Sequence, residues 1–414
     1  MGIPSLVTVT SFVCAAHAPK YSYRIYKIHT ALEMPFSHLP NLPPSVYLAG
    51  LVSFIVAIAL VVTKHLHGRF TMDGTVGIQK MHSTPTPRIG GLAIFLGFVA
   101  AWVVAAPTKA AILGVLLVAG LPAFLFGVAE DLTKQVSVLA RLLATFGSGL
   151  LGWLMTGISL GRLDIPLIDP LLGYTIVSVA FTAFAVGGIA NAVNIVDGFN
   201  GLASGFVAIA ISGIGLAAAV VGDVDLAVAC FAMVAAIIGF WLVNWPLGKL
   251  FLGDGGSYFS GFALAWASVL LVERNSGITA FFPLLICVHP VTEVLFSIYR
   301  RRMTRRSPGA PDRLHLHTLL MRRLVAPRLA RLYAHSPRVG RIMRNPVTGF
   351  LVACMTLPSV TLALLVMHSA VQAAGICLLF ALGYVTLYAR LVRFRWCSPL
   401  NFLFVKPKRI ILGR

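Results

Sequence analysis

Apolar stretches of membrane-spanning length recur along this chain from residue 46 to residue 392, separated by short polar breaks. A helix needs roughly 20 apolar residues to cross the hydrocarbon core. The pattern predicts spans near 46–63, 89–106, 110–128, 139–157, 174–190, 202–221, 224–243, 257–272, 278–298, 348–367 and 371–390, about eleven in all. Backbone polar groups have no water to bond in lipid, so each span is expected to be a helix that closes its own hydrogen bonds. The fold class is therefore all-α, a polytopic membrane protein. The same pattern divides the chain into a polar extension over 1–45, a transmembrane domain over 46–392 that includes a basic loop at 299–347, and a basic tail over 393–414. No repeat at a period of 20–50 residues is evident, so a single membrane domain is the simplest organisation.

Charge sets the orientation. The 414 residues are 58% hydrophobic and 11% charged, against about 25% charged in soluble domains. The net charge of +20 is unevenly placed. Residues 300–347 hold thirteen Arg and one acid, Asp312, and the tail from Arg390 adds seven Lys or Arg. If the spans alternate, the loops with Lys80, Lys134 and Lys249 share that side, while the opposite loops carry only Lys109, Arg162 and Arg274. Basic residues favour the cytoplasm, so the basic side is expected to be cytoplasmic and the N-terminus outside. This placement, with attraction to anionic membrane lipid, accounts for the charge without nucleic acid. Residues 1–45 fit less well, because Lys20, Arg24 and Lys27 fall on the outer side; Met34 precedes a short lead-in to the first span and is an alternative start. The six Cys are scattered without a CxxC pair, which argues against a thiolate metal site or a disulfide framework.

Acids within membrane-embedded sequence are costly and mark function. Six of the thirteen, Glu33, Asp164, Asp169, Asp223, Asp225 and Glu273, fall in the extension or the outer loops. The others, Asp73, Glu130, Asp131, Asp197, Asp254, Glu293 and Asp312, gather on the basic side, from five different loops. Loops far apart in sequence can so assemble one site at one membrane face. In the first, MDGTVGIQKMHSTPTPRIGG, Lys80, His82 and Arg88 could bind phosphate; an ordinary basic loop is the alternative. In the second, Glu130 and Asp131 adjoin, and neighbouring acids raise one another's pKa unless a cation intervenes. They could hold a metal or take a phosphate proton, or simply sit at a helix N-terminus. In the third, Asn191, Asn194, Asp197 and Asn200 recur at three-residue spacing, broadly one helical face; interhelical hydrogen bonding is the alternative to a ligand site.

In the fourth, Lys249-Leu-Phe-Leu-Gly-Asp-Gly-Gly, glycines let backbone approach a ligand. Asp254 is a hard oxygen ligand suited to magnesium, with manganese as the alternative ion. Phe251 could stack on a base, and Lys249 adds positive charge. In the fifth, Arg313, His315 and His317 suit an anionic sugar-phosphate substrate better than zinc, for which H-x-H alone is weak. The five together read as a site for a divalent cation and a phosphorylated substrate. No GxxxxGK[ST] is present, which argues against an ATP-driven pump.

These motifs, KxHxxPxPRIGG at 80–91, the acidic pair ending at Asp131, NAVNIVDG at 191–198, FLGDGGS at 251–257 and DRLHLH at 312–317, resemble the polyprenyl-phosphate N-acetylhexosamine-1-phosphate transferases, glycosyltransferase family 4. The resemblance covers about residues 46–392. It implies ten or eleven spans, an outside N-terminus and active-site loops facing the cytoplasm of the bacterial inner membrane. It implies transfer of N-acetylhexosamine 1-phosphate, by default N-acetylglucosamine 1-phosphate, from a UDP-sugar to undecaprenyl phosphate, with release of UMP. It further implies that Asp254 binds magnesium, that Phe251 stacks on uracil, that Asn194 and Asp197 line the donor site, and that Lys80 is the phosphate-binding cation of the first loop; Asn191, Asn200, His82 and Lys249 are expected among the substrate-binding residues. Asp131, with Glu130, lies near the lipid phosphate and either takes its proton or positions it. Arg313, His315 and His317 meet the sugar and diphosphate. A homodimer is compatible with the family.

Three positions depart from the family pattern. Glu130 stands where Asp is usual, Asn200 where relatives often carry an acid, and Thr318 where a third His is common. The last departure points to the branch that initiates O-antigen and lipopolysaccharide synthesis rather than to a peptidoglycan lipid I synthase. From a different class, a transporter or flippase would carry acids near span centres, whereas here they gather at one face; Glu293, late in its span, is the partial exception.

Overall fold

The structure, a computed structural model, describes residues 42–73, 85–303 and 314–393. Among these the one sheet is a two-stranded antiparallel ribbon, β1 (Met72–Asp73) with β2 (Thr86–Pro87). The rest is helical: α1 (Pro44–Val62), α2 (Lys64–Thr71), α3 (Gly90–Val103), α4 (Pro107–Thr133), α5 (Val138–Thr156), α6 (Asp169–Leu172), α7 (Thr175–Val196), α8 (Leu202–Val220), α9 (Val224–Asn244), α10 (Gly253–Arg274), α11 (Phe281–Ile286), α12 (Val288–Met303), α13 (Leu316–Leu320), α14 (Ala326–Leu332), α15 (Pro337–Cys354), α16 (Thr356–Leu365) and α17 (Ala370–Arg393). A π-turn, Met321–Val325, joins α13 to α14. This is an all-α polytopic membrane protein.

Each expected span meets a helix, and nine stretches of the described residues are long and apolar enough to cross a membrane. The two shorter cases have visible causes. Residues 89–106 yield the 14-residue α3, and 278–298 divides between α11 and α12 at Cys287. The basic loop expected at 299–347 is largely helical where it is described. α15 begins at Pro337, a favoured first helical residue, well before the apolar run, and the run Pro337–Leu365 reads as one span with its Arg-bearing end first. Arg lowers the hydropathy of this segment, yet a helix can carry it at a membrane interface, the stem along apolar surface and the head in water.

Local chemistry sets the helix ends. Ser137 caps α5 by accepting from the Ala140 N–H at 3.1 Å, and α5 stops at Gly157 with φ 69°. Pro122 lies inside α4, where its ring disrupts the helical ladder. The neighbouring Ala123 N–H is met instead by Ser148 Oγ of α5 at 3.0 Å, so two spans are tied where one is broken.

The arrangement is built around α10. Every residue from Gly253 to Val272 is buried, with α3, α4, α7 and α8 packed about it, so this helix has no lipid-facing side. Small residues make this packing close. A Cβ on Gly91 of α3 would lie 2.2 Å from Gly256 N, and one on Gly127 of α4 2.5 Å from Gly255 N, the close backbone approach that small residues allow between membrane helices. The loop before α3 is also stitched to the loop before α10. Phe251 N–H donates to Pro87 O at 2.8 Å, and Gly90 and Gly91 N–H donate to Phe251 O and Leu252 O at 2.9 Å each. Two motifs about 160 residues apart thus form one backbone platform at one end of the bundle.

Candidate active site

The platform carries a compact charged cluster. Asp131, near the C-terminal end of α4, is 1% exposed. Its Oδ1 accepts from Asp254 N–H and its Oδ2 from Gly255 N–H, both at 2.9 Å. Helix α10 has no side-chain cap of its own, and its first N–H groups need acceptors. Asp131 supplies them from another helix, with the charge sign the N-terminal dipole favours. Gly253 makes this approach feasible: its φ is 76°, and a Cβ there would lie 2.2 Å from Arg88 O and 2.5 Å from Asp131 Oδ2.

Two arginines complete the cluster. Arg88 spans both acids, with Nε 3.2 Å from Asp131 Oδ1 and Nη2 2.8 Å from Asp254 Oδ1. Burial opposes the Arg88 charge, but the carboxylates of Asp131 and Asp254 outweigh it and hold the guanidinium above its ordinary value. Arg141 of α5 donates through Nη1 to Asp254 Oδ2. Two acids face two arginines, the pairing that buried charges require. Asn194 of α7 closes the ring, its amide 3.2 Å from Asp254 Oδ1 and 2.9 Å from Ser257 Oγ, while Tyr258 OH donates to its carbonyl at 3.3 Å.

From this cluster the site extends along the α7–α8 loop. Asp197 follows the last residue of α7. Loss of solvent pushes its carboxyl up to about 7, Arg88 opposing and Asp254 adding to the rise. A Cβ on Gly198 would lie 3.0 Å from His317 Nε2. The His317 and His315 rings stack with centroids 5.4 Å apart, and Phe199 meets His317 edge-on at the same distance. The arrangement therefore runs from a neutralised acid–arginine cluster, through a half-buried carboxylate, to a pair of imidazoles. Its two guanidiniums can bind phosphate oxygens, with a polar sugar nearby.

The family model described as glycosyl transferase family 4 matches residues 112–272. A probable undecaprenyl-phosphate N-acetylglucosaminyl 1-phosphate transferase of Bacillus subtilis (strain 168) is 29% identical over 246 residues, covering 59% of this chain and 68% of the relative. An undecaprenyl-phosphate alpha-N-acetylglucosaminyl 1-phosphate transferase of Yersinia pestis is 31% identical over 255 residues, again 59% of this chain and 68% of the relative. A decaprenyl-phosphate N-acetylglucosaminephosphotransferase of Mycobacterium leprae (strain TN) is 32% identical over 280 residues, with the same coverage. The chain belongs to glycosyltransferase family 4. It is a polyprenyl-phosphate sugar-1-phosphate transferase.

Within this transferase the residues expected from sequence separate by position. Asp131, Asn194 and Asp254 are in the cluster, and Asp197 and His317 adjoin it along the loop. His315 lies beyond His317. Asn191, one turn back on α7, donates to Thr145 Oγ1 and Gly187 O, both at 2.8 Å, so its amide hydrogens join α7 to α5. Asn200 donates through its side-chain amide to Pro246 O at 3.2 Å and through its backbone N–H to Asn345 Oδ1 at 2.7 Å, which fastens α15 to the α7–α8 loop. Glu130 accepts from Val136 N–H at 2.9 Å and so closes the α4–α5 turn. The pair Glu130–Asp131 lies at a helix C-terminus, where the dipole is unfavourable for acids; the alternative reading of an N-terminus is corrected. Lys249 is exposed, and Phe251 is half-buried with its backbone in the platform. Lys80, His82, Asp312, Arg313 and Met34 lie outside the described residues.

Arg141 and Tyr258 fall in none of the five motifs, and Ser257 ends the fourth. A lone Arg in the first turn of an otherwise apolar span is the signal that could have found Arg141, since such charges are rare unless paired.

Proposed function

We propose that the protein transfers N-acetylglucosamine 1-phosphate from UDP-N-acetylglucosamine to undecaprenyl phosphate at the cytoplasmic face of the bacterial inner membrane. The observation that carries this reading is the Asp131–Arg88–Asp254–Arg141 cluster at one end of the bundle, built at the mouth of the buried helix α10. A phosphate oxygen of the lipid attacks the sugar-bearing phosphorus of the donor. A new P–O bond forms, the bond from that phosphorus to the bridging oxygen breaks, and UMP leaves with the bond's electron pair. The sugar's anomeric bond is untouched, so its configuration is retained. Arg88 and Arg141 lie where they can offset charge on the transferring phosphoryl group, the effect that dominates such reactions. Asp131 holds the α10 N-terminus rather than serving as a free base, and a lipid phosphate with a second pKa near 6 needs little deprotonation at pH 7.

Magnesium fits this donor set. The ion commonly takes one or two carboxylates and completes its shell with substrate phosphates and water. Among the described residues no group of three or more metal-ligating side chains is assembled; Asp254, whose oxygens face Arg88 and Arg141, and Asp197, which feels its charge, are the carboxylates that would hold the ion. Burial chiefly, and the charge on Asp254 in addition, push the Asp197 carboxyl up, and a bound cation would favour its charged form. When bound, the ion would neutralise diphosphate charge.

Asp197 gives this reading a pH signature. Its carboxyl, pushed up to about 7, is protonated below that value and charged above it. The donor diphosphate is a diester without an ionisation near neutrality. Binding of donor with magnesium should therefore strengthen about tenfold from pH 6 to pH 8, as measured by titration calorimetry, and Asp197→Asn should flatten the dependence. A flat wild-type profile would remove Asp197 from the ion site.

The donor identity is tested by incubating reconstituted protein with undecaprenyl phosphate, magnesium and labelled UDP-N-acetylglucosamine, UDP-N-acetylgalactosamine, UDP-N-acetylfucosamine and UDP-N-acetylquinovosamine. Lipid-extractable label is expected from UDP-N-acetylglucosamine. Label from another donor alone would replace the sugar assignment, and UDP-MurNAc-pentapeptide as the productive donor would move the protein to lipid I synthesis. We place it at O-antigen initiation because Thr318 interrupts the late histidine motif.

A further inference from the structure

Glu293 lies in α12 and is fully buried, yet it belongs to none of the motifs used above. Its Oε1 lies 2.9 Å from His315 Nδ1 and accepts from Ser297 Oγ at 3.3 Å. Its Oε2 accepts from Leu316 N–H at 3.0 Å and from Tyr384 OH at 2.7 Å. Both oxygens are thus engaged by donors from α12, from the segment carrying the histidines, and from α17. The same two helices hold the backbone just upstream, where Arg300 Nη1 and Tyr388 OH donate to Leu314 O at 2.6 and 3.0 Å. A buried carboxylate contributes little to stability that apolar packing could not supply, so a carboxylate at this point calls for a role beyond packing.

The two nitrogens of His315 are thereby distinguished. A carboxylate can only accept, so the imidazole proton in this contact sits on Nδ1, and Nε2 lies outside the contact. The ring is stacked on His317, which abuts Gly198 beside Asp197. We propose that Glu293 is a positioning residue of the transferase, fixing the tautomer and ring plane of His315 so that Nε2 meets the donor's diphosphate or sugar, with Tyr384 holding the carboxylate in place. A carboxylate set behind a working imidazole fixes which nitrogen reacts and how the ring points. Helix α17, remote in sequence from every motif, so acquires a part in the reaction.

The proposal rests on the reading that His315 meets substrate, and one experiment separates the two. Glu293→Gln, His315→Gln and the double variant are compared by kcat and KM for UMP release in reconstituted vesicles, with thermal unfolding on the same preparations. Gln at 293 keeps the shape but offers an amide donor toward Nδ1, which reverses the tautomer. Each single variant is expected to lose about 10- to 100-fold in kcat/KM. The double variant is expected to fall within about threefold of the worse single, because residues that act through one another are non-additive. Glu293→Asp, which keeps the charge, should recover part of the activity, and Tyr384→Phe should cost tenfold or less and nothing further in the His315→Gln background. Full activity of His315→Gln would overturn the substrate role of His315 and this proposal with it. With His315 shown to matter, losses that multiply in the double variant, or a Glu293→Gln enzyme that is less stable but equally active per folded molecule, would overturn the positioning role alone.

Discussion

Asp254→Asn is expected to lower UMP release about 1,000-fold, the scale on which removal of one preorganised electrostatic group acts on a developing charge. The substitution is nearly isosteric, and the amide carbonyl can still accept from Arg88 or Asn194. It deletes the charge that Arg88 and Arg141 share and the hard oxygen offered to magnesium. Breaking a buried pair leaves an uncompensated charge and costs about 3–5 kcal/mol, so a lower unfolding temperature accompanies the kinetic loss. The two effects are read separately by unfolding in detergent and by UMP release at saturating donor. Raising magnesium from millimolar to tens of millimolar should restore nothing. A variant that keeps more than a tenth of wild-type activity would show that the phosphoryl group is handled elsewhere.

Asp131→Asn has the second largest expected effect, and it distinguishes a cap from a base. The wild-type carboxylate accepts from two successive N–H groups, one per oxygen. Asn can satisfy only one, and its NH2 then faces the other donor. A buried N–H left without an acceptor costs about 1–3 kcal/mol, and Arg88 loses half of its compensation as well. The variant should therefore unfold several degrees lower and lose about 100-fold in activity, because the α10 N-terminus, and Asp254 with it, shifts from its place. A residue acting only as a proton acceptor would lose rate with its unfolding temperature unchanged. That outcome would refute the cap.

Much of this architecture could be read from the chain. Apolar runs of the right length mark the spans because lipid leaves a backbone no partner but itself, and each expected run met a helix. The interruptions were less legible. α3 is short and 278–298 is divided, and an averaged apolar pattern does not register a break of one or two residues. The segment 314–347 read as loop because its Arg content lowers hydropathy, although a helix at an interface bears such side chains on its polar face.

Membrane class, the order of the polar motifs and the family resemblance are legible in the chain alone, because apolarity and motif spacing are local properties. What each polar group does depends on how the helices pack. Asn191 and Asn194 are one turn apart and chemically identical, yet one joins two helices and the other reaches Asp254. Asp131 finds its donors 123 and 124 residues away, and Glu293 meets Tyr384 91 residues on. Hydrogen bonds depend on distances of a few tenths of an ångström, and across such separations those distances are set by how whole helices pack, which no stretch of sequence encodes alone.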